Sequence, residues 1–117
     1  MEPSNEGSVD QASSIEGRVV VQTGARIVNS RLRGPTIIGE RTVVENSYIG
    51  PFTSVAADCT IVDSELDHSV VLENSRIVGV GRITDSLIGC DVEVERSDLR
   101  PRALRLMLGD HSKIDLE

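Results

Sequence analysis

The 117-residue chain carries a net charge of −7, from 19 acidic and 12 basic residues. This balance argues against a nucleic-acid-binding face and against an anionic membrane surface as a partner. Tyr48 and Phe52 are the only aromatic residues and Trp is absent, which excludes a core built on large rings. No apolar run approaches 18 residues, so we expect one small domain of strands without a membrane span.

Residues 1–14, with the sequence MEPSNEGSVDQASS, form the first segment of the chain. They are polar and aperiodic, and they lack the basic start and apolar stretch of a secretory signal. Segments of this composition cannot bury enough apolar surface to become ordered on their own. We therefore expect a flexible polar N-terminal arm.

Residues 15–99 contain aliphatic residues that recur every 16 or 17 positions in three interleaved columns. The first column is Ile15, Leu32, Ile49, Leu66 and Ile83; the second is Val21, Ile38, Val55, Leu72 and Ile88; the third is Ile27, Val44, Ile61, Ile77 and Val94. Three columns that keep register over five turns predict a three-sided solenoid of about five coils. The fold class is therefore all-β, a parallel β-helix.

A second regularity lies two positions before nearly every column residue, where a small or β-branched residue stands. Cys59 before Ile61 and Val70 before Leu72 are examples, and Gly81 occupies this position before Ile83. Because side chains alternate along a strand, both residues of each pair should point into the coil. Glycine, asparagine, aspartate and proline between the units suit tight corners, as at Gly39, Gly50, Gly89, Asn29, Asn46 and Pro51.

Residues 100–117 should cover the last coil, because repeat proteins need capped ends. Pro101 can begin a helical turn, Leu104 and Leu108 share a face at i,i+4, and Gly109 suits the position after a helix. The pattern predicts a short C-terminal helical cap followed by a tail.

A repeated [Ile/Leu/Val]-Gly-x-x-[Ser/Thr/Ala]-x hexapeptide resembles the left-handed parallel β-helix family, and the left-handed sense follows from that resemblance. Longer strings make the resemblance more specific. They are IEGRV at 15–19, RGPTIIG at 33–39, ENSYIGPFTS at 45–54, HSVVLE at 68–73 and RLMLGDHS at 105–112. Together they resemble the C-terminal domain of the long-form glucose-1-phosphate thymidylyltransferases of bacteria, over about residues 7–117.

In that family a preceding nucleotidyltransferase domain couples a sugar 1-phosphate to a nucleoside triphosphate. The resemblance therefore implies a sugar-nucleotide-related domain that lacks the catalytic half and acts in oligomerisation. No catalytic residue of the family falls on these residues. The resemblance favours a homotrimer, although a dimer is possible. The chain is either an excised domain or a freestanding relative.

Candidate acid–base residues gather around the fourth predicted coil, and they motivate the alternative of a freestanding enzyme of specialised metabolism. A histidine at a coil corner can serve as a general base, and His68 stands beside Asp67 and Glu65. Tyr48 shares a 17-residue spacing with Arg31, Glu65 and Arg82, which indicates an outward ladder and favours an interface. With Glu73, these residues could form a site for a small molecule at a subunit seam. An exposed corner histidine on a solvated acidic face is the simpler interpretation.

Metal and cofactor chemistry find little support in the sequence. His68 and His111 lie in unrelated segments, and Cys59 and Cys90 stand 31 positions apart without a metal-ligand spacing. We expect no metal, no cofactor and a reduced cytoplasmic setting, with Cys59 buried and Cys90 exposed. A scaffold for a partner subunit is a third possible role.

Overall fold

The chain winds through three sheets in turn and places one strand in each per coil. The computed structural model describes residues 4–96 and 104–107, which form eighteen short strands. Sheet A contains β1 (Ser4–Asn5), β4 (Val19–Val21), β7 (Thr36–Ile38), β10 (Thr53–Val55), β13 (Val70–Val71) and β16 (Leu87–Ile88). Sheet B contains β2 (Ser8–Val9), β5 (Arg26–Val28), β8 (Val43–Glu45), β11 (Thr60–Val62), β14 (Arg76–Val78), β17 (Glu93–Arg96) and β18 (Leu104–Met107). Sheet C contains β3 (Ser14–Glu16), β6 (Arg31–Arg33), β9 (Tyr48–Ile49), β12 (Glu65–Asp67) and β15 (Ile83–Thr84).

Neighbouring strands in each sheet come from successive coils and run parallel, with β18 as the exception. The predicted all-β, three-sided solenoid of about five coils is confirmed. The left-handed sense of the winding stays a prediction from the resemblance.

The interior consists of stacked aliphatic side chains, as the spacing predicts. In the first column Ile15 pairs with Leu32 and Leu66 with Ile83, and in the third column Ile27 pairs with Val44. From the second coil onward the inward residues of these columns are almost completely buried. Ile15 is 40% exposed because its strand, β3, is the edge strand of sheet C. The first and third columns are therefore confirmed.

The second column differs from the prediction in the fourth coil. Val71, not Leu72, pairs with Val55 and Ile88, and it is completely buried whereas Leu72 is 36% exposed. The cause is the preceding corner, where His68 alone takes the place of Pro51 and Phe52. Losing one residue there starts the inward–outward alternation one position earlier.

The small inward residues of the fourth coil shift for the same reason. Ser69 is buried and the predicted Val70 points outward. At the corner between sheets B and C the chain regains a residue, and Val80 fills the interior in place of the predicted Gly81, which is exposed. The backbone N–H of Val80 donates to Ser64 Oγ at 3.1 Å, so the stack continues across the irregular corner.

A ladder of serine hydroxyls serves the backbone at the corner between sheets B and C. Ser47 N–H donates to Ser30 Oγ at 3.1 Å, and Ser64 N–H donates to Ser47 Oγ at 3.2 Å. These inward N–H groups are buried, and an unpaired buried donor would cost about 1–3 kcal/mol. The inward serines are thus hydrogen-bond partners as well as small fillers.

Asparagine and aspartate occupy the same corner on the outside. Asn29, Asn46 and Asp63 all adopt a left-handed backbone conformation, which these residue types tolerate. The Asn29 side chain donates to Asn46 Oδ1 at 2.7 Å, and the Asn46 side chain donates to Asp63. The corner residues therefore hold the coils in register.

Both ends of the solenoid differ from the sequence predictions. Strands β1 and β2 lie in the segment predicted as a flexible arm and pair with β4 and β5, so the solenoid begins before Ile15. At the other end β18 runs antiparallel to β17, with Leu106 opposite Val94. The predicted helix is wrong for residues 104–107, because a strand there satisfies the unpaired backbone groups at the edge of β17. The rest of the predicted cap lies outside the described residues.

Candidate functional site

The outer face of sheet C carries the predicted ladder of polar side chains. Arg31 pairs with Tyr48, and Tyr48 pairs with Glu65, at the spacing predicted from sequence. Tyr48 and Glu65 together line three shallow hollows with volumes of about 370, 440 and 400 Å³. Arg82 lies directly before β15, and its Nη2 lies 2.7 Å from Asp67 Oδ2.

Gly50 allows Tyr48 and Asp67 to approach each other on this face. A Cβ added at Gly50 would lie 2.8 Å from Asp67 Cβ and 3.1 Å from Tyr48 Cε2. Any larger residue would therefore displace the tyrosine ring or the neighbouring strand. The glycine predicted as a corner residue is required by close packing.

Asp67 is a buried carboxylate within this cluster, with 8% of the residue exposed. Its Oδ2 accepts the hydrogen bond from Arg82, whereas Oδ1 is buried and has no hydrogen-bond partner among the described residues. Thr84 stands opposite Asp67 in the ladder, and its hydroxyl interacts with the Asp67 carboxylate. The ion pair ties β12 to the irregular corner before β15.

The pKa of Asp67 reflects opposing influences. Burial on its own would raise it, but the Thr84 hydroxyl and the Arg82 guanidinium favour the ionised form, and the pKa lies below its ordinary value of 3.8. A carboxylate with a lowered pKa is a poor general base at neutral pH. The arrangement therefore favours a structural ion pair over catalysis by Asp67.

His68 occupies the corner between sheets C and A with a left-handed backbone conformation (φ 47°). Its ring packs against Phe52, with centroids 5.3 Å apart and planes inclined by 35°. Its Nδ1 lies 4.0 Å from Asp67 Oδ1, which is too far for a hydrogen bond. His68 is thus near Asp67 but is not oriented by it.

The structure brings four of the five candidate residues to one region and leaves the fifth outside it. Tyr48, Glu65, Asp67 and His68 lie on sheet C and its adjoining corner. Glu73 lies in the same coil at the corner between sheets A and B, where its carbonyl accepts the Asp91 N–H. Within a single chain Glu73 is therefore separated from the other four, because strand β13 of sheet A lies between His68 and Glu73. The predicted site that includes Glu73 stays a prediction for the seam between two copies.

Phe52 also belongs to this region, beside His68, although it is not among the candidate residues predicted from sequence. It is 65% exposed, the most exposed large apolar side chain among the described residues. A phenylalanine directly after Pro51, in a chain otherwise almost free of aromatic residues, was the available signal. Cys59 is buried and Cys90 exposed, as predicted, and burial raises the pKa of the Cys59 thiol.

Among the described residues no group of three or more histidine, cysteine, aspartate or glutamate side chains is arranged to hold a metal ion. That part of the chain also contains no helix long and apolar enough to cross a membrane. His111 lies outside the described residues.

The Asp67 ion pair predicts a specific dependence of stability on pH. Because its pKa is lowered in the folded state, Asp67 stabilises the fold above the pKa of the unfolded chain, and this contribution is lost as the pH falls through the folded-state pKa. We expect Asp67→Asn to lower the free energy of unfolding at pH 7 by about 1–2 kcal/mol. The difference from the unaltered chain should narrow between about pH 5 and pH 2.

Urea denaturation at a series of pH values measures this effect. Arg82→Met is the matched variant, because it leaves the Asp67 carboxyl buried without its cation and should also destabilise most at neutral pH. Unfolding free energies of Asp67→Asn and the unaltered chain that run parallel at every pH would contradict the assignment.

Comparison with known proteins decides the relationship. Over 117 residues the chain is 50% identical to a glucose-1-phosphate thymidylyltransferase of Streptomyces antibioticus, covering 100% of this chain and 33% of that protein. It is 51% identical over 115 residues to a protein of the same name from Streptomyces griseus, covering 98% of this chain and 32% of that protein. The chain is a homologue of the C-terminal part of the glucose-1-phosphate thymidylyltransferases.

The chain spans about one third of the length of these thymidylyltransferases. The resemblance predicted from the hexapeptide strings is confirmed at that level. No protein-family model matches the chain. Among solved structures, the acetyltransferase domain of PglB from Neisseria gonorrhoeae FA1090 covers 84% of this chain and 54% of that chain, with 14% identity and a TM-score of 0.47. That likeness is too small to argue from.

Proposed function

We propose that these residues form a self-associating solenoid domain of a protein related to the glucose-1-phosphate thymidylyltransferases, and that they perform no nucleotidyl transfer themselves. The observation that carries the proposal is the identity of about one half along the whole chain to one third of those proteins. Sugar-nucleotide synthesis is then the process that the domain serves.

The geometry of the candidate site supports a non-catalytic role. Its hollows are shallow and polar, its buried carboxylate is held by Arg82, and His68 is not oriented as a general base. The flat faces of a stacked solenoid are well suited to contact other copies. A trimer is the favoured assembly by resemblance, a dimer is the alternative, and a cytoplasmic location accompanies the proposal.

Two measurements on the 117-residue chain test this function. Sedimentation equilibrium should give a mass two or three times that of the single chain at micromolar concentration. Incubation with glucose 1-phosphate, dTTP and Mg²⁺ should release no pyrophosphate above a protein-free control. A monomer at all concentrations would contradict the self-association, and pyrophosphate release by the purified chain would contradict the non-catalytic assignment.

A small-molecule site is the second candidate function, because the structure does gather Tyr48, Glu65, Asp67 and His68. Glu73 could join them only from another copy. Native mass spectrometry of the assembled protein should then reveal a retained metabolite that His68→Ala releases. Assemblies whose mass equals that of the polypeptide alone would count against this candidate.

A further inference from the structure

The outward side chains of sheet A form a continuous uncharged column. They are Val20, Ile37, Ser54, Val70 and Leu87, one from each of five successive coils, and each pairs with the next across the ladder. We call this column the sheet-A stripe. Val70 is 40% exposed and the other four are partly exposed. Four of the five side chains are aliphatic, and Ser54 stands between the two aliphatic pairs.

The outer faces of the other two sheets are charged. On sheet B the outward positions are mixed: the charged residues Arg26, Glu45, Arg76, Glu93 and Glu95 alternate with Val28, Val43, Val62 and Val78, and Arg76 approaches Glu93 to 3.8 Å. On sheet C they include Glu16, Arg31, Arg33 and Glu65. The sheet-A stripe is therefore distinguished from both by the absence of charge.

This distinction matters because every copy carries a net charge of −7. Like net charges repel, so copies associate most readily where neither surface contributes a charge and apolar area is removed from water. Phe52 extends the same surface at one edge, since it precedes Thr53 of β10 and is 65% exposed. Aromatic residues are enriched at such interfaces.

The size of the face sets the expected strength of association. Five strands at about 4.8 Å spacing and five to six residues across give a face of roughly 24 Å by 18 Å. That is about 430 Å² per copy, below the roughly 800 Å² per partner of a standard interface. A contact of this size should be moderate in affinity and should depend strongly on each apolar residue at its centre.

We propose that the sheet-A stripe, together with Phe52, is the surface through which one copy of this chain binds another. The inference rests on the proposed function and adds the location of the contact. It assigns the polar face of sheet C no part in assembly.

The decisive variant is Val70→Glu, with Val78→Glu as the matched control. Both valines lie in the fourth coil and point outward, Val70 on sheet A and Val78 on sheet B. Sedimentation velocity over a concentration series should show association weakened about tenfold or more for Val70→Glu and nearly unchanged for Val78→Glu. Phe52→Ser should weaken association as well, and its exposed corner position spares the core. Circular dichroism and thermal melting confirm that each variant is folded.

The outcomes separate the two proposals. An unaltered chain that is monomeric overturns the proposed function and this inference with it. An unaltered chain that associates, with folded Val70→Glu and Phe52→Ser variants that associate equally well, overturns only the sheet-A assignment. Equal weakening by Val70→Glu and Val78→Glu also overturns it, because added charge anywhere would then be sufficient.

Discussion

Leu66→Ala should lower the free energy of unfolding by about 3 kcal/mol, whereas Leu72→Ala should lower it by about 0.5 kcal/mol or less. The two leucines lie in the same coil and undergo the same chemical change. Leu66 is 1% exposed and is stacked between Ile49 and Ile83, while Leu72 is 36% exposed. Truncating Leu66 removes apolar area from the stack and leaves a cavity that neighbouring coils cannot fill.

Urea denaturation of both variants measures the difference, under conditions in which sedimentation shows the same assembly state for each. Val71→Ala provides a second test, since Val71 is completely buried and its truncation should also lower the free energy of unfolding. The result distinguishes two registers of the fourth coil. A larger loss for Leu72→Ala than for Leu66→Ala would contradict the described register and would favour the column predicted from sequence.

The columns could be predicted because their signal is redundant. An inward position recurs in every coil, so one ambiguous residue does not obscure the spacing that the other residues of its column define. Val70, Val71 and Leu72 show where this argument ends. Three consecutive aliphatic residues satisfy either register, and the choice depends on whether the preceding corner contains one residue or two. Corner length follows from backbone geometry that residue type does not reveal.

The ends of the solenoid were harder to predict than its middle. Residues 4–9 and 104–107 lie outside the columns predicted from sequence, although Val9 pairs with Ile27 and Leu106 with Val94. Their strand character comes from pairing with an edge that exists only in the folded stack. Local signals such as the spacing of Leu104 and Leu108 therefore indicated a helix where a strand forms. Tertiary pairing overrides weak helix propensity in such segments.

The candidate site was predictable to the extent that it follows the repeat. The spacing of 17 placed Arg31, Tyr48 and Glu65 in one outward column, and the structure confirms it. The partner of Asp67 does not follow from this spacing, because Arg82 lies within the irregular corner at residues 79–82. Glu73 follows His68 by only five positions, yet strand β13 lies between them and places the two residues at different corners of the coil.

Gly39→Ala should have one of the largest effects of any conservative substitution in this chain, a loss of about 3 kcal/mol or more. A Cβ at Gly39 would lie 2.4 Å from the carbonyl carbon of Ala56 and 2.6 Å from the nitrogen of Ala57. Both are backbone atoms of the next coil, and the Gly39 N–H donates to the Val55 carbonyl at 2.6 Å. The coils can admit a methyl group only by separating, which weakens the hydrogen bonds that stack them.

Gly79→Ala is the matched control, because the glycine at this position is explained by its backbone conformation and not by close packing. Nothing lies within 4 Å of the added Cβ, but the backbone there has φ of +69°. The left-handed conformation costs an alanine about 1–2 kcal/mol, and reduced freedom of the unfolded chain offsets part of that cost. Ten described residues other than glycine already adopt positive φ, so this strain is tolerated at corners.

Thermal and urea unfolding should therefore rank Gly39→Ala well below Gly79→Ala in stability. Equal losses would mean that backbone conformation, and not the close approach of adjacent coils, determines where this solenoid requires glycine.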